Sequence, residues 1–146
     1  MDNRRSEDPL AVYARLVDAQ NAHDLEALLQ CFDPAYRSEQ PPHPARAFTG
    51  TDQVRKNWSA LLGAIPDFRA DVLRTAATTD TVWAEARWSG TKADGSPLEE
   101  MIVTILGVAG GRIVWGRLYG EEVERDGPGI DETVRIIAGT QRDPSR

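Results

Sequence analysis

The apolar residues of this chain change period once, near Phe68, and that single change restricts the folds open to it. Before it they recur every three to four residues, as on one face of a helix. After it they fall into strand-length runs separated by turn residues. A chain that begins with helices and continues as a strand meander is predicted to be α+β, with helices packed against a sheet. Its 146 residues, 40% of them apolar, suit one domain with one modest core.

Asp8-Pro9 opens the first helix, since the carboxylate accepts an orphan amide hydrogen and proline is tolerated in the first turn. Leu10, Tyr13, Leu16 and Val17 form its apolar face. Asn21-Ala22-His23-Asp24 breaks the pattern, and Asp24 caps a short second helix with Leu25, Leu28, Leu29 and Phe32 inward. Asp33-Pro34 is expected to stop that helix. Tyr36 to Gln40 reads as a short strand and Pro41-Pro42-His43-Pro44 as a loop. Gly50-Thr51-Asp52 opens a third helix with Val54, Trp58, Leu61 and Leu62 inward, ending at Ile65-Pro66-Asp67. Four strands are then predicted over 68–78, 81–91, 98–108 and 112–122, joined by turn chemistry at Thr79-Asp80, Ala93-Asp94-Gly95 and Ala109-Gly110-Gly111. The domain is expected over residues 9–124. Beyond it lie a linker, Arg125-Asp126-Gly127-Pro128-Gly129, and an acidic tail over 125–146 with a short helix over 130–139.

The net charge of −6 argues against a nucleic-acid partner, because phosphate binding needs a basic patch. Half of that charge sits on residues 121–146, with seven acids and four arginines. One cysteine and two histidines are too few for a disulfide framework or a structural zinc site, so no metal or other cofactor is expected. The longest apolar stretch, Ile102 to Val108, is broken by Thr104 and Gly107 and falls far short of the ~20 residues that span a bilayer. Arg4-Arg5 is followed by Ser6-Glu7-Asp8-Pro9, where a twin-arginine signal would have an apolar segment. The expectation is a cytoplasmic protein with no membrane partner.

Neighbouring strand residues point to opposite faces. One parity holds Ala84, Ala86 and Trp88, then Glu100, Ile102 and Thr104, then Val114, Gly116, Leu118 and Gly120. That set is rich in small residues and suits a sheet curving over helices to leave a cavity. The other holds Trp83, Glu85 and Arg87, then Met101, Val103 and Ile105, then Ile113, Trp115, Arg117 and Tyr119. Large aromatics mixed with opposite charges suit a protein–protein interface, so a homodimer through the convex sheet face is predicted.

The order of elements resembles the nuclear transport factor 2-like superfamily, as do Asn21-Ala22-His23-Asp24-Leu25, Gly50-Thr51-Asp52-Gln53-Val54, Ile65-Pro66-Asp67-Phe68 and Gly111-Arg112-Ile113. The chain is most similar in flavour to the SnoaL-like polyketide cyclases and their relatives, ketosteroid isomerase and limonene epoxide hydrolase. The resemblance implies a cone-shaped α+β fold, a curved antiparallel sheet wrapped around three N-terminal helices, with an apolar pocket between them. It does not imply one activity. The isomerase's oxyanion-donating tyrosine corresponds to Leu16, with Tyr13 one turn earlier. Its general base corresponds to the segment Glu39-Gln40-Pro41, and its protonated acid to Glu100. The hydrolase's charged residues fall on Leu118, Ala86 and Trp88, which disfavours epoxide hydrolysis. The cyclases' terminal acid corresponds to the neighbourhood of Glu121 and Glu122.

Glu100 shares its parity with Ile102, Leu118 and Trp88, so it is expected in apolar surroundings where burial raises a carboxyl pKa. Glu39 and His43 bracket the proline loop, close to where the relatives hold a base. Tyr13, Leu16, Tyr36, Trp58 and Trp88 are candidate pocket walls, with Gly116, Leu118 and Gly120 opposite them and His43 at the rim. His23 and Cys31 read as structural. The expected function is binding of an apolar, oxygenated small molecule, polyketide-, steroid- or terpenoid-like. If the protein is an enzyme, it is a cofactor-free isomerase or cyclase using Glu39, Gln40 and Glu100; the alternative is a non-catalytic ligand-binding or dimeric interaction subunit.

Overall fold

A computed structural model describes residues 8–143. Arg4-Arg5 and the end of the tail lie outside the described residues. The elements are α1 (Pro9–Ala22), α2 (Leu25–Gln30), β1 (Phe32–Glu39), a 3-10 turn (Pro44–Arg46), β2 (Phe48–Thr49), α3 (Thr51–Ala64), β3 (Arg69–Ala77), β4 (Thr81–Thr91), β5 (Pro97–Ala109), β6 (Arg112–Glu122) and α4 (Ile130–Ala138). The six strands form one curved sheet in the order β2-β1-β6-β5-β4-β3. Every pairing is antiparallel except that of β1 with β6, which is parallel.

The caps act as the residue types require. Asp8 accepts from the Leu10 amide at 3.1 Å with Pro9 beside it, and Asp24 accepts from the Ala27 amide at 3.0 Å. The end of α1 is tied to the edge of the sheet. Asn21 donates to the Ala70 carbonyl at 2.9 Å and accepts from the Ala70 amide at 2.8 Å, acting as a strand partner for β3. His23, in the left-handed conformation that ends α1, has Nε2 at 2.9 Å from the Phe68 carbonyl. Both contacts hold α1 across the sheet. Cys31 is buried, with its thiol donating to the Ala27 carbonyl at 3.5 Å.

Two features depart from the sequence pattern. Strand β1 starts at Phe32 and carries Pro34 inside it, because its pairing with β6 is interrupted between Phe32 and Arg37 and needs no proline amide there. The second feature is a bulge in β6: Val108 faces Ile113 while Gly107 faces Trp115, leaving Val114 over. The extra residue turns Ile113 onto the helix side, where it is fully buried, although simple alternation puts it on the outer face with Trp115.

The core lies between the inner sheet face and α1, α2 and α3. Val12, Leu28, Val82 and Ile113 are its most buried large side chains. α4 ends at Gly139 and buries none of its residues; Ile130, Val134 and Ile137 are exposed. No helix among the described residues is long and apolar enough to cross a membrane.

Candidate functional site

The curvature of the sheet leaves a cavity of about 310 Å³ between its inner face, α1 and α3. Residues at helical spacing on α1, Tyr13, Leu16 and Gln20, form one wall. Asn57, Trp58 and Leu61 of α3 form a second. Alternate residues of β1, Tyr36 and Ser38, lead to Gln40 just past its end. The floor comes from β5, with Glu100, Ile102, Thr104 and Leu106, and from β6, with Leu118 and Gly120; Trp88 closes the β4 side.

Aromatic packing stiffens these walls. Trp58, Trp88 and Phe68 form a mutual edge-to-face triad with centroids 5.4–5.6 Å apart. Tyr36 packs edge-on to Phe32 at 4.7 Å, and its hydroxyl reaches over Gly116, where a Cβ would come within 2.5 Å of it. Gly116 therefore serves the cavity indirectly, by letting Tyr36 lie flat. Burial pushes the Tyr13 phenol up to about 12 and raises that of Tyr36, against the pull of the Ser38 hydroxyl, so both stay protonated.

Glu100 is the one carboxyl among the described lining residues. It is half-buried and its pKa is raised above the ordinary range, first by burial and then by the negative charges of Glu122 and Glu121; Arg46 and Lys92 pull it the other way. Each of these acids has a cation or imidazole of its own, Glu122 bonding Lys92 at 2.6 Å and Glu121 bonding His43 Nε2 at 2.7 Å. At the same mouth, Arg46 donates to Gln40 Oε1 at 2.9 Å, so the acceptor end of that amide is engaged by the arginine.

The cavity thus brings together Tyr13, Leu16, Tyr36, Gln40, Trp58, Trp88, Glu100, Leu118 and Gly120. Glu39 and His43 are not in its lining. Glu39 accepts from Arg117 at 3.1 Å, a residue of the outer parity, because neighbours on a strand face opposite ways. His43 lies on the loop beside Glu121. The lining also contains Thr104, which shares the inward parity of Glu100, and three polar residues that the sequence pattern did not single out, Gln20, Ser38 and Asn57. Ser38 follows from the alternation that finds Tyr36, and Gln20 from its place seven residues after Tyr13. Among the described residues, no three His, Cys, Asp or Glu side chains gather as a metal site would require.

The fold recurs in solved structures. IdmH of Streptomyces antibioticus, described as a candidate polyketide cyclase, is 23% identical with a TM-score of 0.68, over 77% of this chain and 91% of that one. A candidate SnoaL-like polyketide cyclase from Jannaschia sp. CCS1 is 20% identical with a TM-score of 0.68, over 83% and 90%. A hypothetical protein with a ketosteroid isomerase-like fold from Catenulispora acidiphila DSM 44928, in complex with trimethylamine, is 17% identical with a TM-score of 0.65, over 74% and 83%. No curated protein matches the chain. At these identities the likeness is one of fold. The SnoaL-like domain matches residues 13–116, from the first cavity-lining tyrosine to the bulged last strand, and the chain belongs to that family, within the nuclear transport factor 2-like superfamily.

Proposed function

We propose that the cavity binds an apolar, oxygenated ring compound of polyketide, steroid or terpenoid type, and that Glu100 moves a proton on it without a cofactor. The observation that carries this reading is a lone, half-buried carboxyl with a raised pKa, set in an aromatic and aliphatic cavity beside an oriented amide donor. A carboxyl tuned toward neutrality serves as base and then as acid. As carboxylate, Glu100 takes a proton from the carbon next to a ligand carbonyl. The C–H electron pair moves into the carbonyl, and the enolate oxygen accepts from Gln40 Nε2. Where the ligand carries a β,γ double bond the enolate is a dienolate, and Glu100 returns the proton to its γ carbon, shifting the double bond into conjugation with the carbonyl and completing an isomerisation. Alternatively, the enolate carbon attacks a second carbonyl in the same molecule, a C–C bond forms, and Glu100 protonates the resulting alkoxide, completing an aldol cyclisation.

A second reading, a non-catalytic ligand-binding subunit, is favoured by the turning of Glu39 toward Arg117, which leaves Glu100 without a second acid in the cavity. One experiment separates them: deuterium uptake from D2O into 2-tetralone, followed by NMR. The catalytic reading expects uptake above the buffer rate with wild-type protein, lost in E100Q and kept in E39Q. Saturable 2-tetralone binding without faster uptake supports the binding reading instead.

The outer sheet face supports a homodimer. Trp83, Val103 and Tyr119 are each more than a third exposed there, between the Arg74–Glu85 and Arg117–Glu39 ion pairs. Sedimentation showing a monomer at micromolar concentration rejects this assembly.

A further inference from the structure

The cavity floor contains one row of strand β5 in which Glu100, Ile102, Thr104 and Leu106 all face inward. Two members are polar, and about 13 Å of extended chain separates them. The stretch between is apolar, with Ile102 paired to Gly120 and Thr104 to Leu118. Glu100 has the mouth's charges around it. Thr104 has none of that company: its Oγ1 is buried, and no hydrogen bond reaches it among the described residues.

Folding alone does not account for that hydroxyl. A buried hydroxyl without a partner destabilises the native state, and a valine of the same shape would relieve it. Thr104 lines the cavity although its Oγ1 is buried, and a 120° change of χ1 rotamer carries Oγ1 to the place its methyl now holds while the methyl moves to the third staggered position. The space holds about 310 Å³ in all, and the rings of Tyr13, Trp58 and Trp88 are part of its lining.

We propose that the cavity takes an elongated, flat ring compound with an oxygen function at each end, one held by Glu100 and Gln40 and the other by the Thr104 hydroxyl. This rests on the small-molecule reading above and narrows its ligand class. Thr104 is then a specificity residue. It discriminates through a hydrogen bond that a ligand lacking the far oxygen leaves unmade.

The test is calorimetric titration of the full chain with 4,4′-dihydroxybiphenyl and with 4-hydroxybiphenyl, rod-shaped probes that differ in the oxygen at one end. The wild-type protein is expected to bind the diol at least tenfold more tightly. T104V is expected to reduce that preference below threefold, and T104S, which keeps the hydroxyl, to retain it. Equal affinities in the wild type, or an undiminished preference in T104V, would overturn the assignment of Thr104 while leaving the small-molecule reading standing. Absence of binding by both biphenyls and by 2-tetralone would overturn both.

Discussion

The Glu100 carboxylate lies across Gly120: a Cβ at position 120 would come within 2.9 Å of Glu100 Oε1 and 3.0 Å of Ile102. The carboxyl therefore occupies volume that any other residue on β6 would claim. G120A is expected to push it out of place and lower 2-tetralone deuterium uptake roughly 10- to 100-fold, the scale on which small misplacements of a reacting group act. Uptake equal to wild type in folded G120A contradicts the role given to Glu100.

The raised pKa of Glu100 also sets a sign for stability. Its folded value lies above the ordinary 4.5, so the folded state holds this proton more tightly than the unfolded chain. Stability from that difference is fully present below 4.5 and is lost as pH rises through the folded value. E100Q does not titrate. Urea midpoints measured from pH 4 to pH 8 should show E100Q gaining on the wild type as pH rises, and a gap independent of pH would contradict the burial of the carboxyl.

Asn21 makes two hydrogen bonds to Ala70 in a half-buried setting. N21A leaves that edge of β3 without its partner and is expected to cost about 1–3 kcal/mol. With a urea m-value near 1–3 kcal/mol/M, the midpoint should fall by roughly 1 M. N21D retains one acceptor and should lose less.

Ile113 is fully buried against the helices. I113A should cost about 2–5 kcal/mol, the range for truncating a core isoleucine. Trp115 lies on the outer face over Gly107, so W115A should cost less in a monomer. If the two substitutions cost the same in the monomeric state, the bulge at Val114 is misplaced.

α4 buries none of its residues. Removing residues 129–146 is expected to change the urea midpoint by less than the equivalent of about 0.5 kcal/mol, as for surface changes elsewhere. A loss above 1 kcal/mol would show that the exposed Ile130, Val134 and Ile137 pack against something in solution.

The main elements, the inward row of β5 and most of the cavity wall are properties of periodicity. Strands at 81–91 and 112–122 keep the expected bounds, because Thr-Asp and Gly-Gly turns delimit them chemically. The placement of Glu100 in the cavity follows from alternation alone, since Ile102 and Thr104 share its parity. Glu39 shows where that reasoning weakens. The proline loop singled out a two-residue segment, and only the pairing of β1 with β6, register Glu39 to Arg117, decided that Gln40 faces the cavity and Glu39 does not.

What no local pattern contains is the phase between elements. A bulge shifts parity by one residue at the cost of one unpaired position, so Ile113 changes face with no change in composition. The parallel union of β1 with β6, likewise, joins segments some 80 positions apart, and no turn between them signals it. The unpartnered Thr104 hydroxyl is visible only once every neighbouring donor and acceptor has its place. Periodicity and turn chemistry act over a few residues and were legible in the chain; register, parity after a bulge and hydrogen-bond satisfaction depend on distant segments and were settled by packing.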